Sequence, residues 1–318
     1  MAKLKRQRYT VNDISWKQAY DIYEEEKERY NVSEKTLANY RAAFDKWNRT
    51  FDIDEEALVP DAAAYTYDEF VDILRDEGLK PESINTYVRN INHFFHWLAD
   101  GNFIKERRRA IVLKTEDTLP KFLTDQEVEK LLGPYNRDDF AESRSYTLIA
   151  LMLSTGIRVG SAAELLITDW DRGNGVITLR KTKTRRQQMI YLPASAQEVL
   201  DRYYYDYLNG NPHIKYLFPN YTGQKISVIG LEKAHRKYCA DRGVENNHLH
   251  SLRHTFSTNW VKRGGNLYRL QKALNHTSVR STLRYARLFD EDISKDFEEL
   301  NLLNDYVGTK RITRRKKT

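Results

Sequence analysis

Four short segments bring together residue types that can handle a phosphate. His250-Ser251-Leu252-Arg253-His254 sets an imidazole and a guanidinium three residues apart, on one face if the segment is helical. A guanidinium forks onto phosphate oxygens, and an imidazole moves a proton near neutral pH. Alone, this His-x-x-Arg pattern describes the polar start of a surface helix equally well. In Leu274 to Tyr285, His276 closes one helical run and Tyr285 stands nine positions further on. A phenol with a pKa of about 10 attacks a phosphodiester only where nearby cations stabilise the phenolate and the transition-state charge. Among 21 tyrosines, Tyr285 by itself would be read as a packed ring. Leu153-Ser154-Thr155-Gly156-Ile157-Arg158 ends an apolar helix in a glycine turn and at once presents an arginine. A packed turn would hold Arg158 as a rigid phosphate clamp; the plainer reading is an arginine closing a helix end. The fourth segment, Arg180-Lys181-Thr182-Lys183-Thr184-Arg185-Arg186, is a basic run that could reach a groove and protonate a leaving oxygen, or simply be a solvated turn.

These segments need elements to position them. Before residue 100 the apolar spacing predicts four helices and no strand. Ser15 to about Tyr30 carries Trp16, Ala19, Tyr20 and Tyr23. Ser33 caps a helix with Leu37, Tyr40 and Trp47, and Thr66 caps one with Phe70, Val71 and Leu74 that ends at Gly78. Pro81 opens the fourth, with Ile84, Val88, Ile91, Phe94, Phe95 and Leu98. Lys105-Glu106-Arg107-Arg108-Arg109 then begins a charged stretch, expected as a linker over 105–121. It reads either as a solvated charge run or as a basic strap along phosphates. A second domain opens with the capping box Thr124-Asp125-Gln126-Glu127. Tyr146 to Leu153 is an apolar helix; Val176 to Leu179 and Met189 to Leu192 are β-prone, with the basic run as their hairpin connection. Helices are expected over about 195–208, 227–241, 249–263, 266–275, 278–287 and 293–303, and a basic, disordered tail from about 309.

The bulk properties admit this layout. The 318 residues suffice for two cores, and a net charge of +7 favours a polyanionic partner. The single cysteine, Cys239, rules out an internal disulfide and any cysteine-based metal cluster, and a reducing compartment is the simplest inference. No apolar run approaches membrane-spanning length, and no signal core follows the basic N-terminus, so a cytoplasmic, nucleoid-associated protein is expected.

Each segment is weak alone, but their order and spacing within one domain resemble the tyrosine recombinase (phage integrase) family. The resemblance rests on Thr155-Gly156-Ile157-Arg158, Leu179 to Lys183, His250-x-Leu252-Arg253-His254, and Leu274-Asn275-His276 to Tyr285, and covers about 122–290. It implies a mainly α fold with a small β-hairpin or sheet, in a two-domain, C-shaped DNA clamp. A helical core-binding (SAM-like) domain over 1–104 and an α+β catalytic domain over 122–308 would form its halves. It further implies that Arg158 and Arg253 bind the scissile phosphate. Lys183, with Lys181 as substitute, protonates the departing 5′ oxygen; His250 assists proton transfer at the nucleophile; His276 hydrogen-bonds the phosphate; and Tyr285 forms a 3′-phosphotyrosyl bond. Because that bond conserves the energy of the broken phosphodiester, no metal, nucleotide or other cofactor is expected.

Family members act as homotetramers on double-stranded DNA with inverted-repeat-like core sites, through a Holliday junction, and the 293–303 helix fits the exchange of a C-terminal helix between subunits. With only about a dozen residues before the first helix, no extra arm-binding module is expected. Arg41 and Arg89 are candidates for base reading. The sequence departs from the family where an acidic residue often stands three positions after the first arginine: here it is Ser161, with Glu164 one turn on. A type IB topoisomerase and a non-cleaving DNA-binding regulator of the same fold remain alternatives.

Overall fold

The computed structural model describes residues 14–115, 121–180, 187–245, 247–276 and 278–286, with the backbone alone at 280, 284 and 286. The chain divides into two compact units, 1–117 and 118–318.

In the first unit, α1 (Trp16–Arg29), α2 (Glu34–Phe51), the single turn α3 (Val59–Ala62), α4 (Tyr67–Asp76) and α5 (Pro81–Asp100) follow one another. The expected caps start them. Ser15 and Thr66 form reciprocal capping boxes with Gln18 and Glu69, Ser33 caps α2, and Pro81 occupies the first position of α5. Trp16, Tyr20, Phe44 and Phe94 meet in one aromatic cluster, and Trp47, Phe70 and Phe95 in an adjoining one. Trp16 also donates through its indole N–H to buried Asn48, 2.7 Å away.

The segment expected to begin a linker at residue 105 instead joins this unit. Ile104, Ala110, Ile111 and Leu113 pack on its core. Asn85 clasps the Leu113 backbone with both ends of its amide, at 2.7 and 2.9 Å. Arg108 lies over the Phe95 ring and donates to the Ala63 and Tyr65 carbonyls, and Arg107 grips Asp100. Two cations of the basic run are therefore internal ties. Arg41, part-exposed on α2, pairs with Glu24, Glu28 and Glu34; Arg89 is exposed on α5.

The second unit begins with α6 (Asp125–Leu131), α7 (Phe140–Thr155) and the turn α8 (Val159–Ala162). A three-stranded antiparallel sheet follows: β1 (Trp170–Asp171), β2 (Val176–Leu179) and β3 (Gln188–Tyr191), in that order, with Leu179 opposite Gln188. Then come α9 (Ala194–Tyr203), which continues as one π-helical turn to Leu208, α10 (Val228–Ala240), α11 (Leu249–Lys262), α12 (Leu267–Ala273) and α13 (Arg280–Ala286). Helix α7 is the axis. It starts six residues before the apolar run that announces it, capped by Asp139, and buries Leu148, Ile149, Leu151 and Met152 between α9, α10 and α11. The fold is mainly α with a small antiparallel sheet, as expected. The expected 293–303 helix and the tail lie outside the described residues. Among the described residues, no helix is long and apolar enough to cross a membrane.

Candidate active site

The site is assembled where α7 ends, α11 begins, and α12 turns into α13. Helix α7 stops at Gly156, whose φ of +63° lies in the left-handed region that favours glycine. A Cβ there would also stand 2.5 Å from the Phe256 ring and 2.8 Å from Leu274. The chain therefore turns sharply against α11 and α12, buries Ile157, and presents Arg158 at an extended φ of −72°. Half-buried Arg158 reaches across to donate to the Asn275 carbonyl at 3.1 Å.

Arg253, one turn into α11, is only 3% exposed. Its guanidinium donates to the Gly156 carbonyl on one side and to the Leu274 carbonyl, 2.7 Å away, on the other. Burial, and secondarily the charge of Arg158, push its pKa down to about 9, so it stays cationic at neutral pH. The two arginines are thus held by carbonyls of the turns that build the site. Among the described residues no carboxylate pairs with either. Glu164, the alternative to an acidic residue at 161, instead pairs with Lys225. Helix α11 itself is started from outside: its first N–H, at Leu249, is accepted by the Glu232 carboxylate on α10.

The α12–α13 turn sets the remaining groups. Asn275 takes a left-handed φ of +48°, which aims its carbonyl at Arg158. Next, the His276 N–H donates to the Gln271 carbonyl, and the Gln271 amide donates back to the His276 carbonyl. The Nδ1 of His276 lies 2.9 Å from the hydroxyl of Thr282, which is buried on α13. Tyr285 is three residues beyond Thr282 on the same short helix, hence on the same face. Its ring is 2% exposed against Leu270 and Leu274, and its hydroxyl lies 2.7 Å from Nδ1 of His254. His250, exposed one turn before His254, sets its ring perpendicular to that imidazole at 4.4 Å.

Five of the expected site residues, Arg158, His250, Arg253, His276 and Tyr285, therefore converge on these few turns. Lys183 and Lys181 lie outside the described residues. The base of their hairpin is nevertheless fixed: Gln188, opening β3, donates to the Ala273 carbonyl of α12 at 2.7 Å, and Arg180 pairs with buried Asp169. The sequence did not reveal His254, Thr282, Gln188 or Glu232 as parts of the site. His254 was visible within its motif, but its partner is 31 residues away and is set only by the packing of α11 on α13.

The model of the phage integrase family matches residues 121–292, more than half of the chain. The chain is a tyrosine recombinase of the phage integrase family. It is 27% identical over 239 residues to "Tyrosine recombinase XerA" of Pyrococcus furiosus, covering 75% of this chain and 81% of that protein. It is 30% identical over 231 residues to "Tyrosine recombinase XerC" of Thermodesulfovibrio yellowstonii, covering 68% and 75% respectively. Among solved structures, the Tn1549 transposon integrase in complex with transposon right end DNA matches with a TM-score of 0.73 at 18% identity, over 90% of this chain and 99% of that one. A lambda integrase dimer bound to a COC′ core site matches at 0.64 and 20% identity, over 84% and 96%. At these identities the structural likenesses establish a common fold. Family membership and the named relatives make this recombinase a site-specific one.

Proposed function

We propose that this recombinase cleaves and rejoins double-stranded DNA through a covalent 3′-phosphotyrosyl bond at Tyr285, with strand exchange through a Holliday junction. One observation carries the reading above the rest: Arg158 and Arg253 each donate to a carbonyl of the turn that presents His276, those of Asn275 and Leu274, and His276 is tied to the helix bearing Tyr285. A phosphate bound by both guanidinia would meet fixed cations in a partly water-excluded site, where they stabilise transition-state charge without reorganising. Tyr285 Oη attacks phosphorus, the bond to the 5′ oxygen breaks, and His276 donates to a non-bridging oxygen. Lys183, on the hairpin anchored by Gln188, protonates the departing 5′ oxygen. The new bond keeps the free energy of the old, so the 5′ hydroxyl of an exchanged strand reverses the step with no outside energy source. Arg253 and Arg158 supply the positive charge for which other phosphoryl-transfer sites use metal.

The relatives solved with DNA support a duplex partner, and the basic balance of the chain agrees. The first unit would serve as core-binding domain, and the 293–303 segment as the element exchanged in a homotetramer on paired core sites. Incubation with nicked suicide duplexes tiled from the DNA flanking the gene, in EDTA, tests this. Wild type should yield a slow-migrating protein–DNA adduct on denaturing gels, and Tyr285→Phe none. Site-specific binding with no adduct would favour a non-cleaving regulator, and relaxation of plasmid without any site would favour a topoisomerase.

A further inference from the structure

The geometry points to His254 as the group that takes the phenolic proton of Tyr285 when the tyrosine attacks. This rests on the reading of Tyr285 as nucleophile. The distance from Nδ1 to the hydroxyl, 2.7 Å, is within the range over which a general base accepts a proton directly. Both ends of the contact are fixed. His254 is half-buried on the first turns of α11, and the Tyr285 ring is packed against Leu270 and Leu274. Arg253, the residue before His254, is near enough to Tyr285 for phenolate character there to raise its own pKa, so the same arginine favours loss of the proton. His250, one turn earlier and exposed, sets its ring against the other imidazole at 4.4 Å between centroids.

The proton balance closes in both directions. In cleavage the Tyr285 O–H bond breaks and the proton passes to Nδ1 of His254. Oη bonds to phosphorus, the phosphorus–O5′ bond breaks, and the 5′ oxygen gains its proton from the general acid assigned to Lys183. In rejoining, the incoming 5′ hydroxyl gives its proton to the lysine, Oη leaves phosphorus, and the His254 imidazolium returns the proton to it. His254 must begin as the neutral tautomer with its proton on Nε2, so that Nδ1 accepts from the Tyr285 hydroxyl.

Two variants separate proton transfer from simple anchoring of a buried hydroxyl. In His254→Asn the amide oxygen stands about where Nδ1 stood and accepts the same hydrogen bond, but it cannot hold a proton. His254→Ala removes both functions and leaves room for a small base. Single-turnover adduct formation on the suicide duplex is measured for both, with gel-shift binding alongside. The expected result is a loss of roughly 100-fold or more in rate for both variants at unchanged DNA binding, and acceleration of His254→Ala by added imidazole. An Asn variant within a few-fold of wild type, or an Ala variant that imidazole does not accelerate, overturns the proposal. An adduct that persists in Tyr285→Phe would instead refute Tyr285 as nucleophile, and wild type that binds a site without forming any adduct would refute cleavage itself.

Discussion

Arg253 carries its charge where a charge is costly. A buried guanidinium is costly unless its donors find partners, and here two carbonyls accept from its terminal nitrogens without neutralising it. A carboxylate partner would have fixed the side chain equally well but cancelled the charge a phosphate needs. Ser161 and the Lys225-bound Glu164 fit that arrangement. His276 follows the same logic: Thr282 accepts or donates at Nδ1 and so orients the ring. Thr282→Val removes the hydroxyl at nearly constant volume. It should lower the adduct-forming rate about tenfold while DNA binding stays at the wild-type level; an unchanged rate would show that His276 needs no such orientation.

Among the elements, the α7–α8 turn is the most demanding, because a left-handed residue and a close approach coincide at Gly156. Gly156→Ala must accept strain at φ +63° and displace Phe256 and Leu274. It should lower the unfolding free energy by about 2–3 kcal/mol in chemical denaturation. A value within a few tenths of wild type would mean the turn relaxes easily. That turn was legible in the sequence, as were the capped helices of the first unit and the β2–β3 hairpin, because caps, proline, glycine and apolar spacing are local signals. What was illegible was short or non-local. Helix α3 and strand β1 have four and two residues, too few for a period to show. The docking of 105–113 on the first unit was hidden because Ile111 and Leu113 are sparse among arginines, and their partner Asn85 is 28 positions away from Leu113. The arginines of the site were found by motif, but carbonyl partners leave no residue-type signature. Only the packed turns disclose them.

At the scale of the molecule, each unit has its own apolar core, and the second carries an acid-sensitive one. His235 of α10 is buried beside Cys239, with its Nε2 3.4 Å from the sulfur. Burial lowers its pKa to about 4, against 6.5 for the free side chain. The unfolded chain therefore binds the proton first. Stability supplied by neutral His235 is complete above about pH 6.5 and is lost as the pH falls towards 4, by about 3 kcal/mol at most. Wild type should show that decline between pH 6.5 and 4 in denaturant titrations, and His235→Gln a shallower one. Equal slopes would mean that His235 escapes protonation by another route.

The central claim, that Tyr285 is the residue joined to DNA, is tested most directly by mass spectrometry. The adduct trapped on a suicide duplex is digested with nuclease and protease, and the peptide that retains a nucleotide is sequenced. The account predicts a single modified residue, Tyr285, linked through its phenolic oxygen to a 3′-phosphate. A nucleotide on any other side chain, or a 5′-phosphate linkage at Tyr285, would contradict it.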